Sequence, residues 1–265
     1  MALSTCSRAG AGLPLVLLHG LGSSRTAWAP VLSALVERFD VVAVDLPGFG
    51  ESPPAPPGVE PHPAFLAATV ADLLDELGID RAHVVGNSLG GWVAVELARL
   101  RPVSSLTLLS PAGLWRDRTP AYSRVSLRLI RYACRHAPDA LSRLVGSRWG
   151  RTVALGQVHG RPARLTPDEA RGEILAMGTA PGFDATLAAT ARRHLSAPSG
   201  LAAPVVVAFG SRDRILLPRQ SRHLEQLPAG TRSAALPGCG HVPMADDPAA
   251  VVALITASVA AAARW

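Results

Sequence analysis

The stretch that decides the fold is His83-Val84-Val85-Gly86-Asn87-Ser88-Leu89-Gly90-Gly91-Trp92. His83-Val84-Val85 reads as a short buried strand, and Trp92 to Leu100 as the helix that follows it. Between them lies Gly86-Asn87-Ser88-Leu89-Gly90, a G-x-S-x-G. A turn this sharp forces its serine into strained backbone geometry, and glycines two before and two after leave room for it. The turn lifts Ser88 Oγ above the edge of a sheet. The first N–H groups of the helix are then free to hold a developing oxyanion. Ser88 is therefore the expected nucleophile.

The same grammar runs outward on both sides. Leu15-Val16-Leu17-Leu18 and Val41-Val42-Ala43-Val44 read as buried strands, closed by His19-Gly20 and by Asp45. Trp28, Val31, Leu32 and Leu35 are spaced as one helix face between them. Phe65 to Leu77 is an amphipathic helix that Gly78 stops. Leu106 to Leu109 is a fourth strand. After Ser110-Pro111 the strands cease, and helices are expected at 122–134, 140–145 and 168–177. Strands resume at Val205-Val206-Val207-Ala208-Phe209 and near Ser233–Leu236. Helices are expected at Arg219–Leu227 and from Pro248 to about Ala262. Strands alternating with helices imply one α/β domain with a mostly parallel central sheet flanked by helices. Its core comprises residues 1–111 and 201–265, with 112–200 as a helical cap inserted in the same domain. A chain of 265 residues can bury one such core.

A serine hydroxyl needs a base, and the base needs an acid to hold it. In such folds the partners follow in the order serine, acid, histidine. Asp213 ends Phe209-Gly210-Ser211-Arg212-Asp213, just past an apolar strand. His241 ends Gly238-Cys239-Gly240-His241, in a tight loop before the last helix. Both lie at C-terminal ends of strands, where open α/β sheets bind ligands. Ser88, Asp213 and His241 are the expected catalytic set. The oxyanion donors would be the backbone N–H groups of Leu21, in the loop His19-Gly20-Leu21-Gly22, and of Leu89. His19 precedes the serine and closes a strand, so it is read as a residue orienting that loop. Asp45 is read as structural, and Cys239 as a packed thiol outside any elbow.

Composition narrows the classes. All 26 basic residues are arginine, and the net charge is +6. The charge is local: residues 112–200 carry 14 Arg against 6 acids, while the remainder is net −2. No nucleic-acid motif accompanies it, so no nucleic-acid partner is expected. Cys and His show no metal-ligand spacing, and Gly20-Leu21-Gly22 lacks the third glycine of a dinucleotide fingerprint. No metal and no cofactor are expected. Three cysteines without framework spacing argue against a disulfide scaffold. Met1 to Gly12 lacks the apolar run of a signal peptide, and no stretch approaches 18 uninterrupted apolar residues. The expectation is a soluble cytoplasmic monomer or homodimer with no integral membrane segment. Arg124, Arg128, Arg131 and Arg135 recur at spacings of 4, 3 and 4. They are read as one stripe, either a solvated face or an attractor of anionic substrates or an anionic lipid surface.

The chain resembles the α/β-hydrolase superfamily, in the capped branch of esterases, lactonases, peroxidase-like esterases and carbon–carbon bond hydrolases. The resemblance rests on His19-Gly20-Leu21-Gly22, on Asp45-Leu46-Pro47-Gly48-Phe49-Gly50-Glu51-Ser52, on the Gly86–Gly91 elbow, and on Gly240-His241-Val242-Pro243-Met244 with Asp247-Pro248. It implies an α/β-hydrolase fold with a helical cap and a serine hydrolase cleaving a carboxylic ester or lactone through an acyl-enzyme. The substrate would be small to medium in size and largely apolar. Two departures matter. Members usually open with a β-hairpin, and only 14 residues precede Leu15 here, so the expectation is that the first strand is missing or the chain start truncated. The elbow Gly-Asn-Ser-Leu-Gly-Gly is similar to that of carbon–carbon bond (meta-cleavage type) hydrolases. Those often follow the histidine with Trp, and this chain has Val242, so that activity ranks second. An acyltransferase or cyclase step, or a hydrolase-fold ligand receptor, are the further alternatives. Dehalogenases and epoxide hydrolases of this fold use an aspartate nucleophile, and Ser88 argues against both.

Overall fold

A computed structural model describes residues 3–196 and 201–263 of the chain. The expected end of the cap at residue 200 and the extreme termini lie outside the described residues. The elements in order are β1 Thr5–Ala9, β2 Leu13–Leu18, α1 Ala29–Val36, β3 Phe39–Asp45, α2 Pro63–Glu76, β4 His83–Asn87, α3 Leu89–Leu100 and β5 Ser105–Leu109. Five helices then follow: α4 Ala121–His136, α5 Pro138–Leu144, α6 Arg148–Leu155, α7 Pro167–Thr179 and α8 Phe183–Thr190. The chain returns to the sheet with β6 Val205–Gly210, α9 Pro218–Ser221, β7 Arg232–Leu236, α10 Pro243–Asp246 and α11 Pro248–Ala262.

The seven strands form one sheet in the order β1-β3-β2-β4-β5-β6-β7. All neighbours are parallel except β1, which runs antiparallel to β3. Both faces of the sheet are covered, which is why its strands read as unbroken apolar runs rather than alternating ones. Val16, Leu18, Val42, Val44 and Val84 pack with α2 and α3 on one face. Leu15, Leu17, Val41, Ala43 and Val85 pack with α1 and α11 on the other. The α2 stop at Gly78 is built as expected: φ is +67°, and the N–H groups of Gly78 and Ile79 return to the carbonyls of Asp75 and Leu74.

Three expectations are corrected. The first strand is present. β1 carries Thr-Cys-Ser-Arg-Ala, pairs residue for residue with β3, and is pinned by Arg8, whose Nε and Nη2 donate to the Asp40 carboxylate at 2.9 and 2.7 Å. It pairs with β3 and not with β2, so it needs no tight hairpin of its own. Second, the helix expected over Arg219–Leu227 is broken. Only Pro218–Ser221 is α-helical; Arg222 leaves helical geometry, and His223 N–H donates to the Leu114 carbonyl instead. Third, the arginine stripe is not one surface. Arg131 is buried: its guanidinium donates to the carbonyls of Met177 and Ala180 and lies 5.4 Å over the Phe183 ring. The open side of α4 carries Val125, Leu129 and Tyr132 beside Arg128 and Arg135.

The strand order reverses between β2 and β4, since β3 lies to one side of β2 and β4 to the other. Loops leaving these neighbours diverge and open a crevice at the carboxyl ends of the strands. Helices α4–α8 lie between β5 and β6 in the chain, and residues of α4, α6 and α7 close that crevice from above.

Candidate active site

The elbow follows from contacts at its glycines. A Cβ on Gly86 would stand 2.2 Å from the Gly90 carbonyl oxygen, and one on Gly90 would stand 2.2 Å from that of Leu18. Any side chain at either position would push α3 off the end of β2 and β4. Ser88 itself takes φ +53° and ψ −115°, a region that non-glycine residues occupy only when the surroundings compel it. That backbone turns Oγ toward the loop after β7.

Ser88, His241 and Asp213 meet there. Ser88 Oγ lies 2.8 Å from His241 Nε2, and His241 Nδ1 lies 2.9 Å from Asp213 Oδ2. Asp213 accepts two further bonds at Oδ1, from the N–H groups of Ile215 and Leu216, each 2.9 Å. Burial works against ionising Asp213. The His241 imidazole and the two N–H donors outweigh it and hold the carboxyl below its ordinary value. An ionised Asp213 accepts a hydrogen bond from His241 Nδ1–H. Nε2 is then left as the acceptor for the Ser88 hydroxyl.

Leu89, which is buried, and Leu21, which is partly buried, both line the smaller cavity at Ser88. Leu89 begins α3 and Leu21 lies in the loop after β2. Among the described residues, neither N–H has a hydrogen-bond partner. Buried backbone donors are rarely left unpaired, and the N–H of buried Leu89 is one without a protein partner. His19 holds the loop from beneath. Leu46 N–H donates to its Nε2 at 3.1 Å, so its Nδ1–H donates to the Gly20 carbonyl at 2.8 Å. Burial keeps this imidazole neutral. Asp45 has a purely architectural set of partners: the N–H groups of Arg25 and Glu51 and the Arg25 guanidinium. Cys239 is fully buried, and desolvation pushes its thiol up to about 11, which leaves it unreactive.

Two cavities meet at Ser88, and both are also lined by Leu21, Leu127 and Ile215. The larger, about 790 Å³ with its mouth, adds His241 and a mostly apolar wall of Ile130, Leu155, Val158, Ile174 and Met177. Glu173 is the one acidic side chain on it. The smaller, about 420 Å³, adds Leu89, Trp115, Leu187 and Leu216 and lacks His241. Among the described residues no group of His, Cys, Asp and Glu is arranged to hold a metal ion.

Sequence reasoning missed three residues of this region. Asn87, a variable position of the motif, donates from Nδ2 to the carbonyls of Leu109 (3.0 Å) and His241 (2.9 Å), tying the elbow to the histidine loop. Asp246 accepts from the N–H groups of Gly160, Arg161 and Gly240, at 2.8, 2.7 and 2.6 Å. It thereby joins the helical segment to the same loop, and His241 N–H adds a bond to the Val158 carbonyl at 2.7 Å. His159, wholly buried, reaches Glu173 at 2.7 Å. Only Asp246 carried a hint, as an acid close behind the histidine in Met244-Ala245-Asp246-Asp247; the other two pair across more than ten residues.

The comparisons agree with this architecture. The model of the alpha/beta hydrolase family matches residues 15–254. "Epoxide hydrolase EphH" of Mycobacterium tuberculosis is 36% identical over 205 residues, covering 74% of this chain and 94% of that protein. Among solved structures, a thermophilic esterase from Thermogutta terrifontis superposes with a TM-score of 0.76 at 23% identity, covering 98% of this chain and 93% of that one. The enol-lactonase from Burkholderia xenovorans LB400 does so with the same score and identity, over 97% and 96%. The two structures share the fold at identities too low to carry chemistry. With its mostly parallel seven-stranded sheet, its elbow and its family match, the chain belongs to the alpha/beta hydrolase family.

Proposed function

We propose that the protein is a serine hydrolase that cleaves a carboxylic ester or lactone through an acyl-enzyme. The observation that carries this reading is the continuous hydrogen-bonded line from Ser88 Oγ through His241 to Asp213. Ser88 Oγ attacks the acyl carbonyl while its proton passes to His241 Nε2, and the ionised Asp213 stabilises the imidazolium. The carbonyl oxygen, now an anion, takes the free N–H groups of Leu21 and Leu89; each such donor is worth about 3–4 kcal/mol of barrier. The imidazolium returns the proton to the departing alcohol as the carbon–oxygen bond breaks. Water then repeats the sequence on the acyl-enzyme, with His241 again as base. Because the leaving group must reach the His241 proton, it occupies the larger cavity, which His241 lines. The acyl chain occupies the smaller one, and α4–α8 act as the cap over both.

Steady hydrolysis of p-nitrophenyl esters from acetate to decanoate tests the reading, with Ser88→Ala beside it. The variant should fold normally and lose turnover by about 10⁴-fold or more. Turnover retained in the variant would sink the assignment. The sequence likeness to a protein named as an epoxide hydrolase supports a second reading, so styrene oxide belongs in the same assay. Hydrolysis of the epoxide by a Ser88→Ala protein that has lost nothing would favour that reading.

A further inference from the structure

The charged residues of the larger cavity are distributed in a way that an apolar ester alone does not need. Glu173 stands on α7, and its side chain is one-third exposed. Its Oε2 is fixed by His159 Nε2 at 2.7 Å, while among the described residues Oε1 makes no hydrogen bond. The imidazole that fixes it is fully buried, and its other nitrogen, Nδ1, has no hydrogen-bond partner and lies 4.0 Å from Asp246 Oδ1. Three groups therefore meet: two carboxylates with one imidazole between them. The cluster is also held beside His241. Val158 O accepts from His241 N–H, and Asp246 bridges Gly160 to Gly240. Oε1, an acceptor with no protein donor among the described residues, thus belongs to a residue that lines the same mostly apolar cavity as His241.

Resting on the ester-cleaving reading above, we infer that Glu173, held by His159, selects substrates whose alcohol portion carries an ammonium or hydroxyl donor that Oε1 accepts. A charged hydrogen bond is stronger than a neutral one, and the wall around Glu173 offers Oε1 no other polar partner. A substrate that brings a donor gains such a bond at Oε1, whereas one that brings a carboxylate sets a second acceptor against it. The cavity therefore favours amino alcohols and diols as leaving groups and disfavours hydroxy acids.

The test compares butanoate esters of 1-pentanol, 1,5-pentanediol and 5-amino-1-pentanol, which differ only at the far end of the alcohol. Wild-type kcat/KM should favour the hydroxyl or ammonium ester over the methyl one by about tenfold or more. If the ammonium ester leads, Glu173 acts as a charge; if the diol ester leads, as a neutral-donor acceptor. Glu173→Leu should bring the ratios to about one, and Glu173→Gln should lose the ammonium preference while keeping part of the hydroxyl one. A wild type indifferent to the far end, or preferences that survive Glu173→Leu, would overturn the inference. If none of the esters is cleaved, the ester reading fails separately. Calorimetric binding of 5-amino-1-pentanol against 1-pentanol then decides the role of Glu173, and equal affinity in wild type and Glu173→Leu would refute it.

Discussion

Asn87 shows how much one amide holds at this site. Its Nδ2 satisfies two buried carbonyls on different elements, one at the end of β5 and one on His241 itself. Asn87→Ala removes both bonds at once and leaves the His241 carbonyl without a donor, while the Leu109 carbonyl keeps its bond from Ser88 N–H. A buried polar group left unpaired costs about 1–3 kcal/mol, so urea unfolding should show a loss in that range. The His241 loop also loses its tether to the elbow, so kcat should fall about tenfold with KM changed less, because a catalytic base displaced by a fraction of an ångström aligns less often. Equal loss in kcat and stability-matched controls such as Thr69→Ala would instead mark Asn87 as ordinary packing. The serine beside it was legible because its constraint is local: Gly86, Ser88 and Gly90 must share a turn within five residues. Asp213 and His241 were legible from their order and from their places at strand ends. Asn87 was not, since nothing in Gly-Asn-Ser says that the amide reaches 22 residues ahead with one bond and 154 with the other. Glu173 and His159 were illegible for the same reason, their partnership being made by the folding of α6 and α7 over the sheet.

Among the elements, the buried strands were readable and the edge was not. β2, β3, β4 and β6 are apolar runs because both of their faces are covered. β1 is an outer strand with polar, mostly exposed side chains, so it carries no apolar pattern to read. Its charge is a property of edges, where an arginine discourages pairing with another chain. What β1 does is cover β3, whose seven residues are all buried. Deleting residues 1–9 would expose the hydrogen-bonding edge of β3 along Val41 to Asp45. The shortened protein should associate or precipitate at concentrations where the full chain does not, and light scattering behind size exclusion reads this directly. A stable, monodisperse deletion variant would show that β3 does not need the cover. The arginines of α4 teach the complementary lesson. Spacing placed four of them on neighbouring positions of one helix, but spacing alone does not say which side meets a partner. The side that does includes Arg131, whose charge is absorbed by the carbonyls of Met177 and Ala180 and by Phe183.

At the scale of the molecule, the helical segment and the sheet are joined at the His241 loop rather than at the segment's hinges alone. Val158–Arg161 lies against Gly238–His241, and Asp246 receives N–H groups from both. His159 sits at the centre of this junction, with Glu173 on one side and Asp246 on the other. Burial alone would strip its proton, yet the two carboxylates outweigh it and raise its affinity above the ordinary imidazole value. A group whose proton is held more tightly in the folded state stabilises that state while both states are protonated. The contribution is therefore complete below the unfolded value of about 6.5 and is lost as pH rises through the higher folded value. Measured as urea midpoints between pH 5 and 9, the advantage of wild type over His159→Gln should be greatest at the acid end and shrink steadily toward the alkaline end. Because the junction carries the His241 loop, turnover in His159→Gln should fall along with this stability and not independently of it. An advantage that is flat with pH would mean that His159 is held as a neutral donor to Glu173. One that grows with pH would mean that burial, and not the paired carboxylates, sets its charge.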